Sequence, residues 1–492
     1  MSSSKRRGIN SNSKSKSNND GKGSQRRARK DEDTGKDVCK DVDLLEICSL
    51  AVDEALRLGA SEVEAYASRS KHITAYIESN DLKHVKTNEP LGIGIRVILN
   101  GAVGFASINT LDVEKVKDAI NTAMSIARAC PSDKHQRLPS NRYRITRLNG
   151  IYDKGVDNLT VEDIARYAND MLNAARGYDP RVMVDSGLFE SSSIEHCVRN
   201  SNGIEAWERI SILTWSIMGM ARDNGSSGSS GMVSNFDVQM GSSHSIKGID
   251  TIATAEEFAK NVVGSLNSRK GENFKGTMIV TPNAFLELFK DPITFAINAF
   301  NVQRGASRFA RMIGKRVAAD VVTIIDDATY TEGIGASSFD REGVAHRRNV
   351  IVEKGILKTF IHNMYTASKS GIESTGNAAG SIASPPSIDT TNLIVDGGNV
   401  KYEDMIREVK YGIVINRFSG NVNAVDGIFS GVVKGGYMVI DGEVAYPVRE
   451  IMVAGNIYDA LKDISMVSKE RRLVLDSLLP YIAVDNVSFT TG

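Results

Sequence analysis

A chain of 492 residues, with 41% hydrophobic and 24% charged residues, has the composition of a globular protein large enough for two domains or one large one. It has no run of eighteen apolar residues and no apolar amino-terminal segment typical of a signal peptide, so we expect a cytoplasmic protein without membrane association. The four cysteines form no CxxC pair, which argues against a disulfide framework or a cysteine zinc finger.

The formal net charge of zero hides a basic amino terminus. Residues 1–30 hold ten Lys and Arg against one acid, Asp20, so the remainder carries 50 basic and 59 acidic residues. Residues 1–41 are rich in Ser, Asn, Lys, Arg and Gly and poor in aliphatic residues, which predicts a disordered tail. Such a tail could bind nucleic acid weakly or serve only as a solubilising extension. We expect no other nucleic-acid contact from the acidic remainder.

Residues 42–270 predict an amino-terminal domain of amphipathic helices and hairpins. Apolar spacing and caps predict helices over 43–58, 112–130, 160–176 and 254–266. Strand-like runs cover 62–67, 72–77 and much of 181–222, and Asn100-Gly101 between two apolar runs predicts a tight hairpin. The Gly/Ser-rich segment 224–231 is interpreted as an exposed connection and not as a P-loop, because no Gly-Lys-Ser/Thr follows it.

Residues 271–492 predict a second, β-rich domain. A strand over 276–281 precedes Pro282, which suits a helix start. A hairpin is predicted from 348–352 and 356–361, followed by a short helix over 362–369 and a polar, glycine-rich loop. Further strands are expected over 392–395, 412–416 and around the turn Asp441-Gly442. Because helices concentrate in the first half and strands in the second, the fold class is α+β rather than a doubly wound parallel sheet.

Local motifs for known chemistries are missing from the sequence. It contains no GxSxG and no GxGxxG, and none of its seven histidines lies within five residues of another. A long-range metal site using His346 and His362, with the upstream Asp326 and Asp327, is conceivable, but isolated histidines are more often structural and we do not adopt it.

Several segments nevertheless resemble one family. They are Phe339-Asp340-x-Glu342-Gly343-Val344, Arg347-Arg348, Glu353-Lys354-Gly355, Ser374 to Ala378, the Ile313-Gly314-x-Arg316-Val317 segment, Asn421 to Ser430 and Tyr446 to Asn456. Their order and spacing are similar to those of the TldD/PmbA (TldE) family, over about Asp43 to Ile482. Members form metalloprotease complexes and are often labelled modulators of DNA gyrase. The resemblance implies an amino-terminal α/β domain followed by a β-rich carboxyl-terminal domain.

The resemblance also implies which kind of subunit this is. TldD-type subunits carry HExxxH shortly before the Ile-Gly-x-Arg-Val segment, with a later cysteine as a further zinc ligand. Here the segment from Lys290 to Phe295 stands at that place, Pro292 is expected to break the helix, and no cysteine follows Cys197. The sequence therefore resembles a PmbA/TldE-type subunit without catalytic residues or zinc of its own, with zinc expected in a TldD-type partner.

Such a subunit is expected to pair with a TldD-type catalytic subunit, or with a second copy of itself, and to act on peptides or unfolded polypeptide. We predict that the loop with Ser374, Thr375, Gly376 and Asn377, together with Asn423, helps to form a peptide groove. Asn377 and Asn423 alternatively cap turns. Two rival functions stay open: a self-sufficient metallopeptidase with an unconventional metal site, and a regulatory binding module of the gyrase-modulator type.

Overall fold

The structure, a computed structural model, describes residues 43–140, 144–223 and 232–491. The predicted disordered tail, residues 1–41, and the predicted connection, residues 224–231, lie outside the described residues. Residues Asp41–Gly492 belong to one unit. The domain boundary predicted between residues 270 and 271 stays a prediction. In the described part of the chain, no helix is long and apolar enough to cross a membrane.

The helices of the amino-terminal half begin at side-chain caps, and the cap predicted at Thr160 is confirmed. Thr160 accepts a hydrogen bond from the backbone N–H of Asp163, and the Asp163 carboxylate accepts one from the Thr160 backbone, which closes a capping box. The side chains of Asp43 and Asp112 also cap their helices, by accepting from the backbone N–H groups of Leu45 and Lys115. The helices are α1 Leu44–Arg57, α2 Val113–Ala129, α3 Lys154–Asp157, α4 Val161–Tyr178 and α5 Thr251–Gly264.

Eight strands among the described residues form the amino-terminal sheet. They are β1 Glu62–Glu78, β2 Asp81–Asn88, β3 Leu91–Leu99, β4 Ala102–Ile108, β5 Val182–Asn200, β6 Glu205–Asp223, β7 Met232–Val233 and β8 Asp237–Ser243. The central order is β4-β3-β1-β5-β6-β7, with β2 on β1 and β8 on β6. Asn100 and Gly101 both have positive φ in the turn between β3 and β4, so the predicted hairpin is confirmed.

The two runs predicted over 62–67 and 72–77 are parts of the single strand β1. This strand pairs with β3 through Arg69 and with β2 from His72 onward, while β5 continues beside it from Glu64 to Glu78. The alternation of apolar residues is interrupted where the strand changes neighbours. The sequence pattern therefore indicates a break where the backbone has none.

Fourteen strands in the described part of the carboxyl-terminal half form a mixed sheet. In chain order they are β9 Arg269–Lys270, β10 Phe274–Val280, β11 Ile324–Asp327, β12 Arg348–Glu353, β13 Ile356–Leu357, β16 Leu393–Val395, β17 Tyr411–Ile415, β18 Arg417–Val422, β19 Ile428–Lys434, β20 Gly436–Ile440, β21 Glu443–Arg449, β22 Ile451–Asn456, β23 Ile464–Val474 and β24 Ser477–Thr491. A separate pair is formed by β14 Ala378–Ala379 and β15 Ser387–Ile388. The short helices are α6 Pro282–Phe285, α7 Asp291–Ile297, α8 Ala299–Gln303, α9 Met364–Ser370, α10 Tyr402–Glu408 and α11 Ile457–Ala460. The α+β class is confirmed.

The prediction that Pro292 breaks the helix is wrong, because the helical backbone continues through this residue. A π-helical turn, Leu286–Lys290, joins α6 to α7, and Pro292 occupies the second position of α7. A proline in the first turn of a helix removes no intrahelical hydrogen bond, because the N–H groups there have no acceptor four residues earlier in that helix. The widened turn therefore accommodates a residue that would break a regular helix.

The hairpin predicted from residues 348–352 and 356–361 is shorter in the structure. Strand β13 ends at Leu357 and not at Ile361, and the turn consists of Lys354 and Gly355, both with positive φ. The predicted helix after it is present as α9, which begins at Met364.

The amino-terminal sheet has two differently covered faces. Val63, Ala65 and Ala67 of β1 point to α1 and α2, within one apolar cluster. Because side chains alternate along a strand, Glu64 and Tyr66 point to the opposite face. Tyr66 packs there with Phe339 of the carboxyl-terminal half. The second face is therefore the one on which the candidate site is built.

Candidate functional site

A buried loop, residues 339–344, carries the most polar part of this interface. The Asp340 carboxylate accepts hydrogen bonds from the backbone N–H groups of Glu342 and Val344, both at 2.9 Å, and from that of Ala378 at 3.0 Å. Burial, followed by the charge of Glu342, raises the pKa of Asp340 to about 8 against the effect of these donors. Asp340 therefore fixes the shape of the loop and joins it to β14.

Four charged side chains of this interface form an ion network, in the order Arg341, Glu64, Arg96, Glu342. The Glu64 carboxylate accepts from Arg96 Nη2 at 2.6 Å and from Arg341 Nη1 at 3.0 Å. Arg96 Nη1 lies 2.9 Å from Glu342 Oε1. Each residue is at most 5% exposed. Burial opposes the charge on Arg96, but the carboxylates of Glu64 and Glu342 outweigh it and raise the pKa of Arg96. The guanidinium of Arg341 also stacks 3.9 Å from the ring centroid of Tyr66.

The sequence alone does not reveal this network. Glu64 and Arg96 lie on strands at positions that alternate with apolar residues, and such positions usually face water. The signal that was present is that Glu342 stands in the 339–344 motif without any local partner. Its ionic partner, Arg96, is about 250 residues earlier in the chain, so only the tertiary fold brings the two together.

Gly343 allows the loop to approach the sheet closely. Its φ is +80°, and a Cβ atom there would lie 2.4 Å from Ile204 Cγ2 and 2.9 Å from Val198 Cγ1. Any side chain would therefore combine an unfavourable backbone conformation with steric overlap.

A second polar connection joins the sheet to the residues just before the loop. Glu208 accepts hydrogen bonds from the backbone N–H of Ser338 at 3.2 and 2.9 Å and lies 3.3 Å from His196 Nε2. Burial raises the pKa of Glu208, but the contact with His196 outweighs it, so the net shift is downward. His346 bonds through Nδ1 to the backbone oxygen of Ser337 at 2.9 Å, and burial lowers the pKa of His346 to about 4. The imidazole of His346 is therefore neutral at pH 7.

These elements enclose a cleft of about 280 Å³ between the sheet and the carboxyl-terminal half. It is lined by Tyr66, His196, Ile210, Gly335, Ser337, Phe339, Asp340, Arg341, His346, Asn377, Ala378, Ala379, Gly380, Asp389, Thr390, Thr391 and Asp476. The lining combines aromatic faces and a neutral imidazole with the charged residues Asp340, Arg341, Asp389 and Asp476. Such a surface can hold a peptide segment that carries both apolar and polar groups.

The predicted groove residues Ser374, Thr375 and Asn377 are buried and bonded to one another and to nearby loops. Thr375 Oγ1 accepts from the backbone N–H of His362 and lies 2.7 Å from Asn377 Oδ1. The backbone oxygen of His362 accepts from the hydroxyl groups of both Thr375 and Ser374. Asn377 Nδ2 donates to Asp326 Oδ2 at 2.6 Å. Burial raises the pKa of Asp326 to about 6 against this and other donors. Asn377 nevertheless lines the cleft. Contact with a peptide stays a prediction.

Gly376 and Asn423 occupy different surroundings. Gly376 has a φ of +77° and lies against the backbone of Ala345, so it serves the tight loop conformation. Asn423 is exposed at the tip of the β18–β19 hairpin, where its carboxamide oxygen accepts from the backbone N–H of Val425 at 2.9 Å. It does not occur among the described residues that line the cleft. Asn423 therefore caps a turn, as the alternative interpretation has it.

The chain matches three domain models of one family in consecutive order. Residues 63–127 match PmbA/TldA metallopeptidase domain 1, residues 154–266 match the central domain, and residues 274–491 match the carboxyl-terminal domain. The chain belongs to the PmbA/TldD metallopeptidase family. The resemblance of the chain to that family is thereby confirmed.

Individual relatives of this PmbA/TldD member extend over nearly the whole chain. A metalloprotease TldD homologue of Buchnera aphidicola is 26% identical over 86% of this chain and 88% of its own length. The crystal structure of TldE from Thermococcus kodakarensis has a TM-score of 0.81 at 24% identity and covers 90% of this chain and 100% of that one. A Thermotoga maritima protein, named in its crystal structure as a candidate modulator of a DNA gyrase, has a TM-score of 0.82 at 23% identity, covering 90% of this chain and 99% of that one. At these identities the structural likenesses show the fold alone.

The residues of this PmbA/TldD member do not fit a zinc ion at the place of the HExxxH motif. Lys290 Nζ lies 2.6 and 2.8 Å from the two carboxylate oxygens of Asp476, which itself lines the cleft. Phe295, where the resemblance puts the second histidine, has no lone pair to offer a metal. The protonated amine of Lys290, held by Asp476, likewise has no lone pair for a metal.

The low-priority metal candidates His346 and His362 are both engaged in hydrogen bonds elsewhere. His362 Nδ1 bonds to Thr366 Oγ1 at 3.2 Å, and burial lowers the pKa of His362 to about 4. Over residues 43–140, 144–223 and 232–491, no three His, Cys, Asp or Glu side chains are grouped so that they could hold a metal ion. The unconventional metal site therefore finds no support in the described part of the chain.

Proposed function

We propose that the chain is a PmbA/TldE-type subunit of a TldD/PmbA-type zinc metalloprotease and that it has no zinc of its own. In this proposal it works beside a TldD-type catalytic subunit on peptides or unfolded polypeptides, with a homodimer as the alternative assembly. The observation that carries the proposal is the ion pair between Lys290 and Asp476, at the place where the family resemblance puts a zinc ligand. The family membership supports the metallopeptidase context.

Zinc, bound in the partner, would supply an activated water and polarise the scissile carbonyl. The residues of this chain would contribute binding and exclusion of water. The cleft offers the rings of Tyr66 and Phe339 as apolar walls. A peptide held in an extended form loses less freedom in the transition state than one held loosely. This division of work lets the chain raise the activity of its partner without cleaving anything itself.

Cleavage assays with separated subunits test the proposal. The chain alone, a TldD-type subunit from the same organism alone, and an equimolar mixture are each incubated with a fluorogenic unfolded protein, with and without a chelator. We expect no cleavage by the chain alone and more cleavage by the mixture than by the TldD-type subunit alone. Chelator-sensitive cleavage by the chain alone would overturn the proposal in favour of a self-sufficient metallopeptidase. Equal rates for the mixture and the TldD-type subunit would also contradict it.

A further inference from the structure

A second and larger cavity lies beside the ion network and includes Arg96 in its lining. Its volume is about 520 Å³, within the range of sites for small organic ligands. The amino-terminal half contributes Arg96, Val103 and Gln136, and α8, α9 and β15 with the residues before it contribute the remaining walls. The lining does not share a residue with the cleft.

Most of the lining is apolar. Phe300 of α8 is 44% exposed, and Pro385, Pro386 and Ile388 form a wall next to β15. Val103 of β4 adds an aliphatic surface from the amino-terminal sheet. An exposed aromatic ring near two prolines is suited to packing against another flat, apolar group.

The polar groups of the cavity are neutral or already balanced in charge. Arg96 is the most deeply buried polar residue of the lining, 5% exposed, and its charge is matched by the carboxylates of Glu64 and Glu342. Its Nε–H has no hydrogen-bond partner within the described residues. The Gln136 carboxamide makes no hydrogen bond to any described residue either, whereas the Asn298 and Asn363 side chains are used in helix caps. A carboxamide without a described partner, beside an arginine whose charge is already balanced, suits a neutral amide and not an anion.

We propose that this cavity binds an aromatic residue of a peptide through its side chain and its uncharged backbone amides. The ring packs between Phe300 and the Pro385–Pro386 wall, and the Gln136 carboxamide bonds to a backbone amide of the ligand. The inference deepens the proposed function, on which it rests in taking the natural ligand to be a peptide. It names aromatic residues as the class that is selected.

Binding of blocked amino acids to the full-length chain tests the inference. N-acetyl-L-phenylalaninamide is titrated by calorimetry and by ligand-observed NMR, beside N-acetyl-L-alaninamide and N-acetyl-L-phenylalanine, which carries a free carboxylate. We expect the neutral phenylalanine derivative to bind more tightly than either of the others. Equal binding of the alanine derivative, or tighter binding of the carboxylate, overturns the inference.

Three variants test whether the ligand binds in this cavity. Phe300→Ala removes an exposed wall and is expected to weaken binding by about tenfold, the effect of losing an aromatic contact at a binding site. Val103→Trp fills the cavity and is expected to abolish binding. Ile252→Ala, which removes an exposed side chain of α5, is the matched control and should leave binding unchanged. Circular dichroism verifies folding, and undiminished binding by folded Phe300→Ala contradicts the inference. Zinc content and partner-dependent cleavage do not enter this readout, so its failure is distinguishable from failure of the proposed function.

Discussion

Arg341 Nη1 lies 3.0 Å from Glu64 Oε1, although 277 residues separate them in the chain. The pair connects the second face of the amino-terminal sheet to the loop that carries the 339–344 motif. Since Glu64 also accepts from Arg96, a single carboxylate holds two buried guanidinium groups. The contact between the two halves of the chain is thus ionic at its centre and apolar around it.

Replacement of Glu64 should be among the most damaging single changes. Glu64→Ala leaves Arg341 buried without its carboxylate partner and Arg96 with Glu342 alone. Removing one member of a buried ion pair typically costs about 3–5 kcal/mol. Urea unfolding of the variant measures the loss in the free energy of unfolding. Arg57→Ala, which breaks the exposed pair with Glu54 on α1, is the control and should leave the stability nearly unchanged. Similar losses in both variants would contradict the assigned role of Glu64.

Gly343 and Gly59 allow backbone strain to be separated from steric overlap. Both have positive φ, but a Cβ atom on Gly59 would meet nothing within 4 Å, whereas one on Gly343 would overlap Ile204. Gly59→Ala should cost about 1–2 kcal/mol for the left-handed conformation alone. Gly343→Ala should cost roughly 1–3 kcal/mol more because of overpacking. Thermal unfolding of the two variants measures the difference, and equal losses would mean that the loop can move away from the sheet.

Stability should fall in acid because of buried neutral histidines. The pKa of His362 is lowered from 6.5 to about 4 in the folded chain, so the unfolded chain binds more protons between these values. The stabilisation is therefore present above pH 6.5 and lost as the pH falls towards 4; it amounts to roughly 3 kcal/mol at most. His362→Gln removes this dependence. Its melting temperature should decline less than that of the unchanged chain between pH 7 and pH 4.

The matched control is His84→Gln, which changes an exposed histidine of β2. Its decline in melting temperature between pH 7 and pH 4 should parallel that of the unchanged chain. The raised pKa values of Asp326 and Asp340 act in the opposite direction, because protonated carboxyl groups are favoured in the folded state, and they are common to all three proteins. A decline that is identical in the His362 variant and in the control would contradict the assignment.

Asn377 and Asn423, both predicted from sequence to contact a peptide, should behave differently on replacement. Asn377→Ala removes a donor to the buried Asp326 and is expected to cost about 1–3 kcal/mol. Asn423→Ala removes one exposed turn contact and should cost less than about 1 kcal/mol. Chemical unfolding of both variants compares them. A smaller loss for Asn377 than for Asn423 would show that the 374–378 loop does not depend on its internal hydrogen bonds.

Local signals predicted most of the regular elements. The cap at Thr160 and the turns at Asn100-Gly101 and Asp441-Gly442 act within a few residues, so the sequence contains the information needed to place them. The α+β class followed from the distribution of these elements.

The candidate site could be predicted only in part, because its contacts are not local. Glu64 has the appearance of a solvent-facing strand residue until the register of the sheet brings Arg341 to it. The buried setting of Asn377 depends on Asp326, fifty-one residues earlier. The π-helical turn before Pro292 is a backbone adjustment that no residue preference indicates.

The zinc content of the chain purified alone, without any chelator, tests the central claim most directly. A TldD-type homologue purified in the same way is the control and should contain close to one zinc ion per chain. Elemental analysis of the present chain should find far less than one, because Lys290, paired with Asp476, and Phe295 stand where ligands are needed. One zinc ion per chain, retained after gel filtration, would contradict the account and favour a self-sufficient metallopeptidase.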